Sequence, residues 1–253
     1  NKGGLYKVYN GNLLYHGCVP LKEDGTLKSV RLYGRSYKGK SLYEVLESYV
    51  RKGFYALNKK EKERGKDMMW YIWLSENSPL FGKDKMATFE RYFLAEKETH
   101  KEKKNPYYNL LENEKVINMI LKEFGLTEES AHIINGHVPV KVITGESPIK
   151  CNGKVLVIDG GFSRAYQKQT GIAGYTLIYN SYGLILAAHE PFESTEAAIE
   201  KESDIHSDSV VVKRVLERKL VGDTDIGQEL KEQIEDLKML LQAYRSGEIT
   251  ERM

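Results

Sequence analysis

Two short apolar stretches of β type, far apart in this chain, each lead to a histidine that lies beside a glycine. The first leads to His16 in Leu-Tyr-His-Gly-Cys-Val-Pro (residues 14–20), and the second to His137 in Ile-Asn-Gly-His-Val-Pro-Val (residues 134–140). A glycine lets the backbone turn, so a histidine at the end of a strand is held stiffly at the rim of a sheet. The pattern favours a fold in which several strand ends assemble one metal centre.

One alternative stands beside this interpretation. A single histidine near a strand end is more often a packed or surface residue than a ligand. Catalytic zinc or manganese centres usually need three or more protein ligands, often including carboxylates, so two histidines do not complete one. Cys18 lies two residues after His16 and could contact a metal, although free cysteines are more commonly buried.

Length and composition bound the class of protein. A chain of 253 residues suits one large domain or two small ones, and 41% hydrophobic and 29% charged residues are typical of soluble globular proteins. The net charge of +2 gives no indication of a nucleic-acid partner, and no apolar run approaches the ~20 residues that span a bilayer. Two cysteines favour free thiols in a reducing compartment, hence the cytoplasm. Because Asn1 opens the chain, we expect it to begin within a longer polypeptide.

Local patterns predict a mixed chain of helices and strands. Asn10-Gly11 between β-prone runs predicts a hairpin that delivers His16. Helical spacing predicts helices over 41–57, 86–95 and 112–124, whereas the mostly charged residues 58–67 predict a loop or a solvated face. Strands are predicted at 131–134 and 154–158, followed by a hairpin of 174–179 with 184–188.

The predicted organisation is one domain in four parts. A hairpin with the first ligand strand (1–30) precedes a mostly helical insert (31–130), a second ligand loop with a β segment (131–190) and C-terminal helices (191–253). The last helix carries an apolar stripe at helical spacing, formed by Leu230, Ile234, Leu237, Leu241 and Tyr244. We expect this stripe to pack on the main body, and a helix-mediated homo-oligomer is the alternative.

Longer segments resemble one family, the class III fructose-1,6-bisphosphatases of Firmicutes and related bacteria. The similar segments are Tyr-Lys-Val-Tyr-Asn-Gly-Asn-Leu-Leu-Tyr-His-Gly-Cys-Val-Pro-Leu, Ser-Glu-Asn-Ser-Pro-Leu-Phe-Gly-Lys, Thr-Phe-Glu-Arg-Tyr-Phe, Thr-His-Lys-Glu, Ile-Asn-Gly-His-Val-Pro-Val-Lys and Val-Ile-Asp-Gly-Gly-Phe-Ser-Arg-Ala-Tyr-Gln. The resemblance covers nearly the whole chain. It implies an α+β fold, namely the C-terminal part of a calcineurin-like metallophosphoesterase β-sandwich flanked by helices.

The resemblance also implies a metal site. In that superfamily Asp-x-His, Gly-Asp-x-x-Asp-Arg-Gly-like and Gly-Asn-His-Glu-like motifs come before two later histidines. By this resemblance His16 and His137 match the last two ligand positions, and the three earlier motifs are absent from this chain. The resemblance therefore implies a dinuclear Mn²⁺ centre, most of whose ligands come from an N-terminal half of the same polypeptide.

The activity implied is hydrolysis of fructose 1,6-bisphosphate to fructose 6-phosphate and phosphate, in gluconeogenesis. A dinuclear centre lowers the pKa of a bound water and clamps the phosphoryl oxygens. The chain by itself is expected to be inactive, because the N-terminal metal motifs are missing. Two alternatives remain: another metallophosphoesterase that acts on phosphoproteins or nucleotides, and a truncated domain that binds without catalysis.

A sugar bisphosphate has a second phosphate, which needs cationic partners away from the metals. Lys83, Arg91 and His100 rank first, because they lie between the two ligand histidines, where related phosphatases keep a phosphate-binding arginine. Arg35 and Arg164 are further candidates, the latter in a glycine-rich loop that follows a strand. For each of these residues, a solvated surface charge is the alternative.

The remaining acidic and histidine candidates receive weaker assignments. Asp159 is expected either to hold a ligand histidine through a hydrogen bond or to cap its loop. His132, His189 and His206 are expected to be structural or surface residues.

Overall fold

A computed structural model describes residues 3–127, 130–160, 163–192, 194–200, 202, 207–215 and 217–250, and it confirms the predicted α+β class. The strands are β1 (Tyr6–Tyr9), β2 (Asn12–Tyr15), β3 (Val30–Leu32), β4 (Arg35–Tyr37), β5 (Ile133–Asn135), β6 (Ile149–Lys150), β7 (Val155–Val157), β8 (Gly174–Asn180), β9 (Gly183–His189) and β10 (Ser207–Arg214). The helices are α1 (Gly39–Tyr55), α2 (Lys59–Leu74), α3 (Thr88–Phe93), α4 (Glu114–Glu123), α5 (Arg164–Thr170), α6 (Thr195–Glu200) and α7 (Asp225–Ser246).

The main sheet has the strand order β1-β2-β5-β7-β6. Strands β1 and β2 form the predicted hairpin, and Asn10 and Gly11 both have positive φ, as its tight turn requires. Strands β2, β5 and β7 are parallel, with Leu13 opposite Ile133 and Ile134 opposite Leu156. The carboxyl ends of these three strands therefore lie at the same edge of the sheet.

Apolar residues bury the centre of this sheet. Strand β7 is buried along its whole length, and all three residues of β5 are buried as well. Helix α4 buries one face, comprising Val116, Ile117, Ile120 and Leu121, at the spacing that its sequence predicts. Its first turn is capped by Asn113, whose side chain accepts the Val116 N–H at 3.3 Å.

The helical insert contains an antiparallel helix pair. For residues 58–67 the predicted solvated face is confirmed, whereas the predicted loop is wrong. These residues form the first turns of α2, which Asn58 caps by accepting the Glu61 N–H at 2.9 Å. The charged side chains face solvent, while Gly65, Met68 and Ile72 form the buried face. Helix α1 runs over Gly39–Tyr55, so it begins and ends two residues before the predicted bounds.

Helices α1 and α2 approach each other most closely at two glycines. A Cβ atom added to Gly53 would overlap the Cα of Gly65, and the reverse substitution would overlap Gly53 in the same way. Around this crossing, Leu42, Leu46 and Ile72 pack in a buried apolar cluster. The absence of side chains at the crossing lets the two backbones touch.

The chain divides into two compact units, and the predicted organisation as one domain stays a prediction. One unit comprises Asn1–Thr176 with Ala187–Ser209, and the other comprises Leu177–Leu186 with Val210–Met253. A three-stranded sheet has the order β10-β9-β8, so the predicted helical segment 191–253 also contains a strand. The β-sandwich implied by the resemblance stays a prediction.

Helix α7 extends over 22 residues and begins after Thr224, whose hydroxyl accepts the Gly227 N–H at 3.2 Å. The five residues of its apolar stripe are exposed, and their own unit does not cover them. Packing of the stripe on the main body therefore stays a prediction, and so does the alternative of a helix-mediated homo-oligomer. In the part of the chain that the structure describes, none of the helices has both the length and the apolarity for a bilayer crossing.

Candidate functional site

The two histidines singled out in the sequence meet at the carboxyl edge of the parallel strands. His16 directly follows β2, and His137 lies two residues after β5. The Nε2 atom of His16 lies 2.9 Å from the Nδ1 atom of His137, across 121 positions of sequence. Their ring centroids are 4.8 Å apart with an interplanar angle of 69°. The expected convergence is observed, and the role of the pair as metal ligands stays a prediction.

Main-chain and amide contacts join the two histidine loops. The Gly136 N–H donates to the His16 carbonyl at 2.9 Å, and the Asn135 Nδ2 donates to the Gly17 carbonyl at 3.0 Å. His137 itself has a φ of 67°, a conformation that non-glycine residues rarely adopt. Such a backbone persists only where surrounding contacts hold it, so the His137 ring is stiffly placed.

The carbonyl of Phe81 decides which nitrogen of His137 faces its partner. It lies 2.8 Å from His137 Nε2, and a carbonyl can only accept, so Nε2 carries the proton. In the neutral ring, Nδ1 then presents its lone pair towards His16. Burial, followed by the charge of His16, lowers the pKa of His137. The neutral form that a metal requires is therefore favoured.

Asp159 lies at the same sheet edge, two residues after β7. Its carbonyl accepts the Val140 N–H at 2.8 Å, which ties the loop after β7 to the loop of His137. A Cβ on Gly136 would lie 3.5 Å from the Asp159 Cβ and 3.7 Å from its Oδ2. The carboxylate is thus close enough to favour a proton on His137, and whether it orients a ligand stays a prediction.

The histidine pair borders a cavity of about 680 Å³. One wall is apolar and comes largely from α1, α2 and the following loop, with Phe54, Met69, Trp73, Leu80 and Met86 among its residues. Charged residues also line the cavity, namely Glu47, Arg51, Lys83 and Glu102. Arg51 lies 2.7 Å from Glu47 and Lys83 lies 2.8 Å from Glu102, so each of these two cations has a carboxylate partner.

The structure brings three of the candidate substrate residues into one cluster. Lys83 Nζ lies 2.8 Å from Glu102 Oε2, and Arg91 Nη2 lies 3.2 Å from Glu102 Oε1. The same Arg91 nitrogen lies 3.4 Å from the His100 carbonyl, while His100 Nε2 bonds to the Leu94 carbonyl at 3.0 Å. Of the three, Lys83 lines the cavity of the histidine pair.

Other candidates lie elsewhere. Arg35 is exposed on β4 and does not line this cavity. Arg164 begins α5, but its side chain lies outside the described part of the structure. His132 is buried with Nδ1 2.8 Å from the Gly153 carbonyl, and His189 lies between the Thr176 and Ser207 hydroxyls. His206 lies outside the described residues.

Sequence reasoning missed three residues that build the site. Glu102 lies within a basic, polar segment, where its charge is typical of a solvated face. Phe81 acts through its carbonyl, which no side-chain pattern reveals. Asn135 lies in the quoted Ile-Asn-Gly-His motif, and its position directly before Gly-His was the available signal. The Cys18 thiol is buried, which raises its pKa to about 12 and disfavours the thiolate that binds a metal.

The donor atoms fit part of a metal site. Two imidazole nitrogens bound to one zinc ion at about 2.0–2.1 Å in tetrahedral geometry lie roughly 3.3 Å apart. The observed separation of 2.9 Å, which is also the length of a hydrogen bond between the rings, is close to this value. Asn135 Oδ1 is buried beside the pair without a hydrogen-bond partner among the described residues, which also suits a ligand in this place. The described residues include no group of three or more His, Cys, Asp or Glu side chains that could hold a metal alone.

A family model of the Firmicute fructose-1,6-bisphosphatases matches residues 1–246. The chain belongs to this family. A class 3 fructose-1,6-bisphosphatase of Clostridium novyi (strain NT) is 59% identical over 253 residues, which cover 100% of this chain and 38% of the relative. Class 3 relatives of Clostridioides difficile (strain 630) and Alkaliphilus metalliredigens (strain QYMF) are 60% and 57% identical, over 99% and 100% of this chain.

The family resemblance seen in the sequence is therefore confirmed. This member of the Firmicute fructose-1,6-bisphosphatase family spans 38% of the length of each of these relatives. The match lies in their C-terminal part. No solved structure matches the chain.

Proposed function

We propose that this chain supplies two metal-binding histidines and part of the substrate pocket of an enzyme that hydrolyses fructose 1,6-bisphosphate. The products are fructose 6-phosphate and phosphate, a step of gluconeogenesis. The 2.9 Å approach of His16 and His137 carries the proposal, because it brings two nitrogen donors to one point in a chain of this family. The buried free thiols of Cys18 and Cys151 support a reducing compartment, and we place the enzyme in the cytoplasm.

His16 would hold a metal through Nε2, and His137 through Nδ1. Neutral imidazoles suit manganese, iron or zinc, and we propose Mn²⁺ in a dinuclear centre. When bound, such a centre supplies hydroxide at neutral pH and charge that stabilises the transferring phosphoryl group. The rest of its ligands would come from the N-terminal part that the longer relatives have.

The chain's own residues orient the histidine ligands and exclude water from one side of the site. The Phe81 carbonyl keeps the proton of His137 on Nε2, so that Nδ1 remains a donor atom. The apolar cavity wall removes water from one side of the pair, which strengthens electrostatic interactions there. Lys83 and Arg91 would attract the substrate's phosphates, and the cavity position of Lys83 supports this.

The test uses the full-length family enzyme that contains these residues. Phosphate release from fructose 1,6-bisphosphate is measured with Mn²⁺ present, for the unchanged protein and for His137→Ala. We expect turnover in the former and its loss in the latter, with the fold retained by circular dichroism. His189→Ala is a matched control that should keep its activity. Failure of the folded, metal-loaded protein to release phosphate would overturn the proposal.

A binding role without catalysis is the second candidate for these residues in isolation. It is favoured because no third His, Cys, Asp or Glu side chain joins the histidine pair among the described residues. The polypeptide of residues 1–253 distinguishes the two roles when it is mixed with the N-terminal part of a relative. Phosphate release restored by mixing supports the enzyme, whereas ligand binding without any release supports the second candidate.

A further inference from the structure

We infer that Glu102 is a positioning residue that holds Lys83 and Arg91 as a cationic subsite for the substrate phosphate distant from the histidine pair. The inference rests on the proposed function and adds to it the role of Glu102 and a preference for substrates with two phosphates. The ligand class is a phosphate dianion carried by the same molecule as the phosphate that reacts.

Both carboxylate oxygens of Glu102 are engaged. Oε2 accepts from Lys83 Nζ at 2.8 Å, and Oε1 accepts the Ala87 N–H at 3.0 Å and lies 3.2 Å from Arg91 Nη2. The Glu102 side chain is only 13% exposed, compared with 31% for Lys83 and 53% for Arg91. A carboxylate held by a main-chain N–H and two cations has one orientation, and the cations take theirs from it.

Backbone pairing fixes the frame of this cluster. Lys83 and Lys104 form an antiparallel bridge, the Asp84 N–H donates to the Lys103 carbonyl at 2.9 Å, and the Asn105 N–H donates to the Gly82 carbonyl at 2.9 Å. Lys83 and Glu102 therefore project from two hydrogen-bonded segments. The pair is not a chance encounter of long surface side chains, which usually contributes little.

The charge balance suits an anion. Two cations share one carboxylate, which leaves the cluster with a net charge of +1. A lysine ammonium has three donors, and Glu102 occupies one of those of Lys83. Burial alone would raise the pKa of Glu102, but the bond from Lys83 and its neighbours lower that pKa overall, so the carboxylate is ionised at neutral pH.

The cluster is coupled to the histidine pair through a single segment. Phe81 accepts the His137 N–H, and only Gly82 separates Phe81 from Lys83. Lys83, Glu102, His16 and His137 also line the same cavity. One short segment thus sets the distance between the reacting phosphate and the second one, which is the dimension by which a bisphosphate differs from a monophosphate.

The experiment compares two substrates in the full-length enzyme. Glu102→Gln preserves shape but removes the charge that gathers the two cations. We expect the KM for fructose 1,6-bisphosphate to rise roughly tenfold with kcat within about twofold, as the loss of one charge-assisted contact implies. The KM for p-nitrophenyl phosphate, which has no second phosphate, should stay unchanged. Glu63→Gln, which removes an exposed pair with Lys66, is the matched control and should alter neither.

Lys83→Gln provides the second variant, in case Glu102→Gln lowers the melting temperature below the assay temperature. It should reproduce the substrate-selective rise in KM, and the double variant should lose no more than the single ones. Equal effects on both substrates, or an unchanged KM for the bisphosphate in an active enzyme, would overturn the inference. Absence of bisphosphate turnover in the unchanged protein would instead reject the proposed function, and this inference with it.

Discussion

The Phe81 carbonyl accepts the Nε2 proton of His137 at 2.8 Å, and this bond determines which His137 nitrogen faces His16. A residue of the helical insert thereby sets the tautomer of a residue at the sheet edge, 56 positions away. Residues of both the sheet and the helical insert therefore build the site.

The first prediction concerns metal affinity. His16→Ala or His137→Ala should weaken Mn²⁺ binding by the full-length enzyme at least tenfold, about the scale of losses seen when supports of a metal site are removed. The double variant should bind Mn²⁺ more weakly than either single variant, because each of the two donors contributes to holding the same ion. Titration followed by electron paramagnetic resonance measures the binding, with His189→Ala as the control. Unaltered affinity in both single variants would contradict a ligand role.

The second prediction concerns the amide that joins the two histidine loops. Asn135→Ala removes the side-chain amide that donates to the buried Gly17 carbonyl, so that carbonyl loses this hydrogen bond. We expect a loss of about 1–3 kcal/mol in the free energy of unfolding, the scale for an unsatisfied buried group. Urea unfolding measures it. Asn113→Ala, which removes the α4 cap, is a useful comparison, since it should destabilise by about 1 kcal/mol without altering Mn²⁺ affinity.

The third prediction concerns pH. The pKa of Glu102 lies below its ordinary value of 4.5, because bonds and charges from Lys83, Ala87 and Arg91 outweigh the effect of burial. A carboxylate with a lowered pKa in the folded state stabilises the fold above 4.5, and that contribution is lost as the pH falls through the lowered value. Unfolding free energies of the unchanged protein and Glu102→Gln should converge as the solution is acidified. A difference that is independent of pH would contradict the prediction.

The fourth prediction concerns the thiols. Burial raises the pKa of Cys18 to about 12, and burial also raises the pKa of Cys151. Both thiols should therefore resist iodoacetamide at pH 8 in the folded protein and react within minutes in urea, because the thiolate is the reactive form. Mass spectrometry of the alkylated peptides separates the two sites. Rapid labelling of Cys18 without denaturant would contradict its burial.

The sequence predicted the sheet edge and three helices of the insert, α1, α3 and α4, but it did not predict helix α2. Histidines beside glycines, each after a β-type stretch, indicated where β2 and β5 end, because strand ends and turns depend on local residue types. Helix α2 was missed, since its first turns carry charge on every solvent-facing position and its buried face relies on Gly65 finding Gly53. A contact between two glycines leaves no hydrophobic period to detect.

The cluster of Lys83, Arg91 and Glu102 shows that sequence reasoning also misses contacts between distant segments of the site. Lys83, Arg91 and His100 were candidates because they lie between the histidines, but their order of importance depends on Glu102, which is 19 positions from Lys83. Ion pairing across such a separation follows from the backbone pairing of two loop segments. Strand β10 was missed for a related reason, because most of its residues are exposed and it lacks a buried apolar face.

The glycine crossing of α1 and α2 has a consequence beyond the helices themselves. Phe54 follows Gly53 directly, and Met69 lies one turn after Gly65. Both side chains line the cavity, and the contact between the two glycines sets the distance between the helices that carry them. A methyl group added at either glycine, as in Gly53→Ala, would push the two helices apart. The cavity beside the histidines would then widen, although the substituted residue does not line it.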